Sequence, residues 1–158
     1  MKKDEFYEYS LAAFRPAESL LKMVPADKLD WKPGPTFMTL GQLICHLSTG
    51  IGTELKMLIN NSWPKPEEMS AQGQMPSCGI KEALANIEKD KITLREVLAG
   101  VTEKDFATKI VSTPWGFQGN LEKMSLDFRE HFVNHKMQLF TYLKLLGFAV
   151  NTETLYMG

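Results

Sequence analysis

Apolar residues recur at helical spacing in four segments of the chain. The first segment extends from about Asp4 to Val24, with apolar positions at Phe6, Leu11, Phe14, Leu20 and Leu21. Spacings of three and four residues put such side chains on or near one face of an α-helix. Pro16 interrupts the segment and lacks a backbone N–H group. The pattern therefore predicts a long amphipathic helix that is kinked near its middle.

The second segment begins at Thr39 and has the clearest helical pattern. Thr39 and Gln42 form a capping-box pair, which satisfies free amides at a helix start. The apolar stripe follows at spacings of four and three: Leu40, Ile44, Leu47, Ile51, Leu55 and Leu58. The preceding stretch, Pro25 to Met38, is rich in proline and glycine and predicts a connection. Trp63-Pro64-Lys65-Pro66 ends the predicted helix.

Two further helices are predicted in the second half of the chain. Proline and glycine recur between Asn61 and Gly79, which predicts a long loop before a helix from Ile80 to Leu98. Another connection contains Thr113-Pro114-Trp115-Gly116, and the last helix is expected from about Leu121 to Leu146. We therefore predict an all-α fold, a four-helix bundle with long inter-helix loops, as a single domain over residues 1–158. Loops of this length leave the order of the helices open.

Composition narrows the class of protein. The formal net charge is −1, and Lys and Arg are not clustered, which argues against a nucleic-acid-binding surface. No segment has the length and apolar character of a membrane span or of a signal peptide. Two isolated cysteines, Cys45 and Cys78, are too few for a disulfide framework. We expect a cytoplasmic protein without a membrane or nucleic-acid partner.

The three histidines of the chain fall beside apolar helix faces. His131 and His135 are four residues apart, which puts two imidazoles one turn apart on one helix face, and His46 lies beside the stripe of the second helix. Three imidazoles form a ligand set for a divalent metal with one position left open. A histidine pair with this spacing also occurs at surfaces and core edges. Taken alone, His46 fits a core-edge histidine that is hydrogen-bonded to a backbone carbonyl. Spacing alone leaves both interpretations open.

Two better-known metal motifs are absent from the sequence. The stretch His131-Phe132-Val133-Asn134-His135 lacks the glutamate of HExxH, and with it the general base of a zincin protease. No Glu-x-x-His occurs, which excludes the usual di-iron bundle.

Three stretches resemble the DinB-like (DinB/YfiT) family of four-helix-bundle proteins. They are Leu29-Asp30-Trp31-Lys32-Pro33 with the helix start from Thr39 to Leu47, then Thr113-Pro114-Trp115-Gly116, and finally the stretch from His131 to Gly147. The family often has Arg-Gly-Gln where this chain has Lys136-Met137-Gln138. The resemblance implies one divalent metal ion, zinc or nickel, bound by His46, His131 and His135. It also implies a homodimer.

The resemblance further implies an activity on small molecules. Characterised relatives include S-transferases that use low-molecular-weight thiols such as bacillithiol or mycothiol, so a thiol S-transferase is the first hypothesis. A metal-assisted hydrolase and a non-enzymatic bundle with a vestigial or regulatory metal site are the alternatives. No Lys or Arg is identified that would recognise the carboxylates of such a thiol, and no residue is assigned to thiol binding.

Candidates for further roles lie in the histidine column of the last helix. Asp127 precedes His131 by one turn and is expected to hold an imidazole N–H group. Gln138 is a second candidate for that role, and Tyr142 is expected to donate a hydrogen bond to a ligand. Trp31, Trp63 and Trp115 lie in predicted loops, where they line a pocket, form a dimer surface or cover the bundle ends.

Overall fold

A computed structural model describes residues 1–64 and 75–158 of the chain. Part of the predicted loop between Asn61 and Gly79, with Pro66 and Gly73, lies outside the described residues. The helices of the described part are α1 (Lys3–Lys22), α2 (Leu40–Ser48), α3 (Ile51–Asn60), α4 (Ile80–Ala99), α5 (Glu103–Thr108), α6 (Leu121–Leu145) and α7 (Thr152–Tyr156).

The long helices form a four-helix bundle, which confirms the predicted fold class. Helix α1 packs against α4 and α6, and the α2–α3 segment packs against the same two helices. The order around the bundle is thus α1, α4, α2–α3, α6. Consequently α1 and the α2–α3 segment are diagonal partners, and the chain crosses the bundle between them. This settles the order that the sequence left open.

Helix α1 continues through Pro16, which is buried inside it. The apolar faces predicted from helical spacing form one continuous core, with Phe6, Phe14, Leu20, Leu43, Leu55, Leu94 and Leu139 almost fully buried. None of the described helices combines the length and apolar character needed to cross a bilayer.

The second predicted helix is divided in two, which the sequence did not predict. Helix α2 begins with the predicted capping box, in which Thr39 accepts a hydrogen bond from the Gln42 amide, and it ends at Ser48. Helix α3 begins after Gly50, whose φ of −98° and ψ of −111° are not helical. The apolar stripe remains buried on both sides of the break. The prediction of one continuous helix was therefore wrong, although its buried face was right.

The buried carboxylate of Asp90 in α4 accounts for the new helix start. Its oxygens accept hydrogen bonds from the backbone amides of Gly52 and Thr53, at 2.9 and 2.7 Å, and from the Thr53 hydroxyl at 2.6 Å. The first amides of a helix have no partner within the helix, and Asp90 supplies one from a neighbouring helix. Burial raises the pKa of Asp90, while these three hydrogen bonds act in the opposite direction.

A short antiparallel hairpin precedes α6, and it was also missed by the sequence analysis. Its strands are β1 (Ile110–Ser112) and β2 (Gln118–Asn120). The turn between them is closed by the Thr113 amide, which donates to the Phe117 carbonyl at 2.8 Å. Gly116 has a φ of +93°, a conformation that glycine adopts without steric strain. The hairpin therefore holds the loop residues Trp115 and Phe117 in a defined position.

Lys136 lies in α6 but points away from the histidines. Its side chain is 5% exposed, and its ammonium group donates a hydrogen bond to the Leu155 carbonyl in α7 at 2.8 Å. Burial lowers the pKa of Lys136. Lys136 thus fastens α7 to the bundle.

Candidate metal centre

His131 and His135 face the α2–α3 segment from α6. The side chain of Asn120 caps the start of α6 by accepting a hydrogen bond from the Lys123 amide. Phe128, Phe132 and Leu139 are buried on the adjoining face, and their burial fixes the rotation of the helix in the bundle. The two imidazoles lie one turn apart as the spacing predicts, and their Nε2 atoms are 2.8 Å apart.

His46 completes the cluster from α2. Its Nε2 atom lies 3.3 Å from Nε2 of His131. One ligand atom from each histidine can be chosen so that all three lie within 4.8 Å of one another, and each residue is half-buried. Thus α2 and α6, which are far apart in sequence, bring together the three histidines expected to bind a metal.

Glu54 in α3 orients His131, a contact that the sequence did not predict. The Nδ1 atom of His131 lies 3.1 Å from Oε1 of Glu54. A carboxylate only accepts hydrogen bonds, so His131 carries its proton on Nδ1 and its Nε2 lone pair is free. On an unbroken helix Glu54 would lie roughly 80° around the axis from His46. Because the helix breaks at Gly50, the spacing between His46 and Glu54 in the sequence does not predict this contact.

Asp127 does not take the role that the sequence analysis gave it. Its carboxylate is 2.6 Å from the ammonium group of Lys123, and the carboxylate at His131 is that of Glu54. The expected contact between Asp127 and an imidazole is therefore corrected, because a lysine one turn away pairs with this exposed acid. Asp127 still lies beside the cluster, on the wall of the cavity described below.

Gln138 orients His135, in the role proposed for it. The Nδ1 atom of His135 lies 3.0 Å from Oε1 of Gln138, and the Gln138 amide nitrogen donates to the Tyr142 hydroxyl at 3.2 Å. That hydroxyl donates to the Met38 carbonyl at 3.0 Å. The chain of donors fixes the Gln138 oxygen towards His135, which carries its proton on Nδ1 and presents Nε2 to the cluster.

Tyr142 acts through Gln138 and is not placed to contact a ligand. Its side chain is 2% exposed, and its one hydroxyl proton goes to Met38. A hydrogen bond from Tyr142 to a ligand would require this hydroxyl to leave Met38, and that role stays a prediction.

The pKa values follow from burial and from these partners. Burial lowers the pKa of His46 from 6.5 to about 4, helped by the neighbouring His135 and His131. Burial also lowers the pKa of His135. The hydrogen bond to Glu54 raises the pKa of His131. Two of the three imidazoles are thus biased towards the neutral form that metal coordination requires.

The donor set fits a divalent cation. With both Nδ1 atoms protonated, the Nε2 atoms of His131 and His135 direct lone pairs at each other across 2.8 Å, which is repulsive unless a proton or a metal cation lies between them. A tetrahedral zinc ion with ordinary imidazole bonds separates two nitrogen ligands by about 3.3 Å. The Oε2 atom of Glu54 is buried without a hydrogen-bond partner among the described residues, and a nearby positive charge would compensate it.

A cavity of about 450 Å³ opens beside the histidines. Its walls come from α2, α3, α6 and the hairpin turn: His46, Glu54, Trp115, Phe117, Met124, Asp127, Phe128 and His131. Trp115 meets the Trp63 ring edge-on at 4.8 Å, and Trp63 lies 6.2 Å from the Phe128 ring. Of the three loop tryptophans, Trp115 therefore lines the cavity, Trp63 supports it, and Trp31 packs instead on Tyr142.

Comparison with known proteins agrees with this architecture. A model of the DinB superfamily matches residues 12–138. A crystal structure of a DinB-family protein from Exiguobacterium sibiricum shares 18% identity and a TM-score of 0.74, covering 96% of each chain. No curated protein matches the chain at a significant level.

Two further crystal structures of DinB-like proteins share the fold. The one from Bacillus subtilis is 14% identical with a TM-score of 0.68, covering 92% of this chain and 94% of that one. The one from Bacillus cereus is 16% identical with a TM-score of 0.72, covering 96% and 98%. At these identities the likeness shows the fold alone.

Proposed function

This chain belongs to the DinB superfamily, and we propose that it is a divalent-metal enzyme acting on small molecules, with thiol S-transfer as its reaction. The observation that carries the proposal is the convergence of three imidazoles beside a cavity. A cluster that only stabilised the fold would need no adjoining space. The cavity therefore favours an enzyme over a non-enzymatic bundle with a vestigial or regulatory metal site.

His46, His131 and His135 would hold the ion, zinc or nickel. Three protein ligands would leave a coordination position for a small molecule, and the ion would supply a positive charge that lowers the pKa of a thiol bound there. Glu54 and Gln138 keep the Nδ1 protons of His131 and His135 in place. The walls of the cavity hold the electrophile and reduce its contact with water.

A metal-assisted hydrolase is the second candidate, and Asp127 favours it. Its carboxylate lies on the cavity wall, where it would accept a proton from a water molecule that attacks the substrate. Moreover, the cavity walls formed by described residues contain no Lys or Arg, the groups that usually bind the carboxylates of an acidic thiol.

The two candidates differ in their need for a thiol. The test supplies zinc-loaded or nickel-loaded protein with 1-chloro-2,4-dinitrobenzene and either bacillithiol or cysteine, and records formation of the thioether as chloride leaves. Parallel samples receive 4-nitrophenyl acetate without thiol. Thiol-dependent turnover that is lost in a His131→Ala/His135→Ala variant supports transfer. Ester hydrolysis alone supports the hydrolase, and no turnover of either compound by the loaded protein contradicts both proposals.

A further inference from the structure

The aromatic side chains of the hairpin turn are exposed where they face the cavity. Trp115 is 47% exposed and Phe117 is 66% exposed. Large aromatic groups are usually buried, and exposed ones held in a fixed position are typical of binding surfaces. Neither residue contributes to the core of the bundle.

Hydrogen bonds within the turn hold the backbone that carries Trp115 and Phe117. The Thr113 side chain is buried, and its hydroxyl accepts a hydrogen bond from the Phe117 amide at 3.1 Å. The Gly116 amide donates to the Thr113 carbonyl at 3.1 Å. Trp63 supports Trp115 from behind. These bonds hold the backbone of the turn in place, which limits the conformational entropy lost when a flat molecule binds against its aromatic side chains.

The charges around the cavity disfavour each class of charged ligand body in one state of the site. Glu54 and Asp127 are acidic, and Lys123 already pairs with Asp127. In metal-free protein an anionic body would therefore meet two carboxylates and no Lys or Arg among the described wall residues. An organic cation would be repelled by the divalent ion that the histidines are proposed to hold. An uncharged body meets neither cost.

We propose that this cavity binds an uncharged molecule with a flat aromatic body, packed between Trp115, Phe117 and Phe128 with its reactive group towards the histidines. The description of this molecule as a substrate rests on the proposed function. Met124 completes the apolar wall, and a thioether adapts to rings of different shape. The walls of the cavity select the molecule that binds. This selectivity is therefore the same whether the reaction is thiol transfer or hydrolysis.

Binding of two aromatic probes tests this inference. Indole is uncharged, and benzenesulfonate carries a negative charge; both are added to metal-free and to zinc-loaded protein. The readout is the indole N–H signal of Trp115 in ¹H–¹⁵N spectra, assigned with a Trp115→Phe variant. We expect indole to bind with a Kd on the order of 1 mM or tighter. Benzenesulfonate should bind at least tenfold more weakly than indole to the metal-free form.

Variants then locate the binding. Trp115→Ala and Phe117→Ala should weaken indole binding about fivefold or more, measured by ligand-observed NMR. Ile110→Ala is the matched control, because Ile110 is 61% exposed on the same hairpin and is not part of the wall. Benzenesulfonate binding as tightly as indole to metal-free protein, or an equal effect of Ile110→Ala, would overturn the inference.

The zinc content of the same samples separates this inference from the proposed function. Protein that binds indole at Trp115 but takes up no zinc supports the inference and contradicts the metal-dependent enzyme. Protein that takes up zinc but shifts no Trp115 signal with indole overturns the inference alone.

Discussion

Single hydrogen bonds decide which nitrogen of each imidazole in α6 is free. Glu54 fixes the tautomer of His131, and Gln138 fixes that of His135. The histidines and Gln138 could be predicted because their positions follow from the spacing on one helix and from the resemblance. Glu54 could not, because its contact depends on a helix break and on packing between α3 and α6.

Removing Glu54 should weaken metal binding more than removing Asp127. Partners that hold a metal-binding histidine typically contribute 10–100-fold to affinity, so Glu54→Ala should raise the Kd for zinc by about that factor. Glu54→Gln keeps an acceptor for His131 and should recover part of the loss. Competition with a chromogenic chelator measures both.

Asp127→Ala is the control for this comparison. Its carboxylate pairs with Lys123, so the Kd for zinc should change less than about threefold. A loss as large as that of Glu54→Ala would restore the role that the sequence suggested for Asp127.

In metal-free protein His131 should lose its proton at a higher pH than His46. His131 should keep its proton to a higher pH than an ordinary histidine, and His46 should stay neutral until about pH 4. An unfolded chain protonates His46 near pH 6.5, so lowering the pH from there towards 4 favours unfolding through this residue. NMR titration of the imidazole C–H signals measures the order. A His46 that titrates above His131 would contradict the geometry.

Individual helices show where local sequence signals suffice and where they do not. The Thr39 cap, the apolar stripes and the end of α6 near Gly147 follow from residues close in sequence. The division between α2 and α3 does not, because the acceptor for the α3 amides is Asp90, 38 and 37 residues from the Gly52 and Thr53 amides that it binds. The strands of the hairpin are three residues each, too short for a pattern with a period of two.

Gly52 should be intolerant of any side chain because α4 packs directly on it. An added Cβ would collide with the Asp90 carbonyl and lie 2.7 Å from the Leu94 amide nitrogen. We expect Gly52→Ala to lower the free energy of unfolding by about 1–3 kcal/mol, since backbone must move. Urea denaturation measures the change.

Gly79→Ala is the matched control for Gly52→Ala. A Cβ at Gly79 would have no atom within 4 Å, and its φ of −86° suits any residue. Gly79 is also the N-cap of α4, where alanine is less favourable than glycine, so the loss should stay below about 1 kcal/mol. Equal losses in the two variants would show that the α3–α4 contact is not as tight as described.

At the level of the whole molecule, the histidine cluster spans two neighbouring helices of the bundle. His46 lies on α2 and the His131–His135 pair on α6, so a shared ion would join the first half of the chain to its last long helix. The bundle and its helix faces could be predicted from periodicity; the diagonal placement of α1 could not, because long connections permit several orders. The homodimer and the cytoplasmic location stay predictions from the sequence.

Zinc should therefore stabilise the folded chain. At a free zinc concentration of 100 times the Kd, binding adds about 2.7 kcal/mol to the free energy of unfolding. For a chain of this size the Tm should rise by about 5–10 °C. Calorimetry with and without zinc measures the shift, and the His131→Ala/His135→Ala variant should show none. A shift of the same size in that variant would place the zinc elsewhere.

Metal content per chain tests directly whether His46, His131 and His135 bind one divalent ion. Purified tag-free protein is loaded with zinc or nickel, freed of excess metal and measured by mass spectrometry beside the His131→Ala/His135→Ala variant. We predict about one equivalent of metal in the parent and almost none in the variant. Substoichiometric metal in both proteins after loading would contradict it, since three convergent imidazoles would then bind no ion.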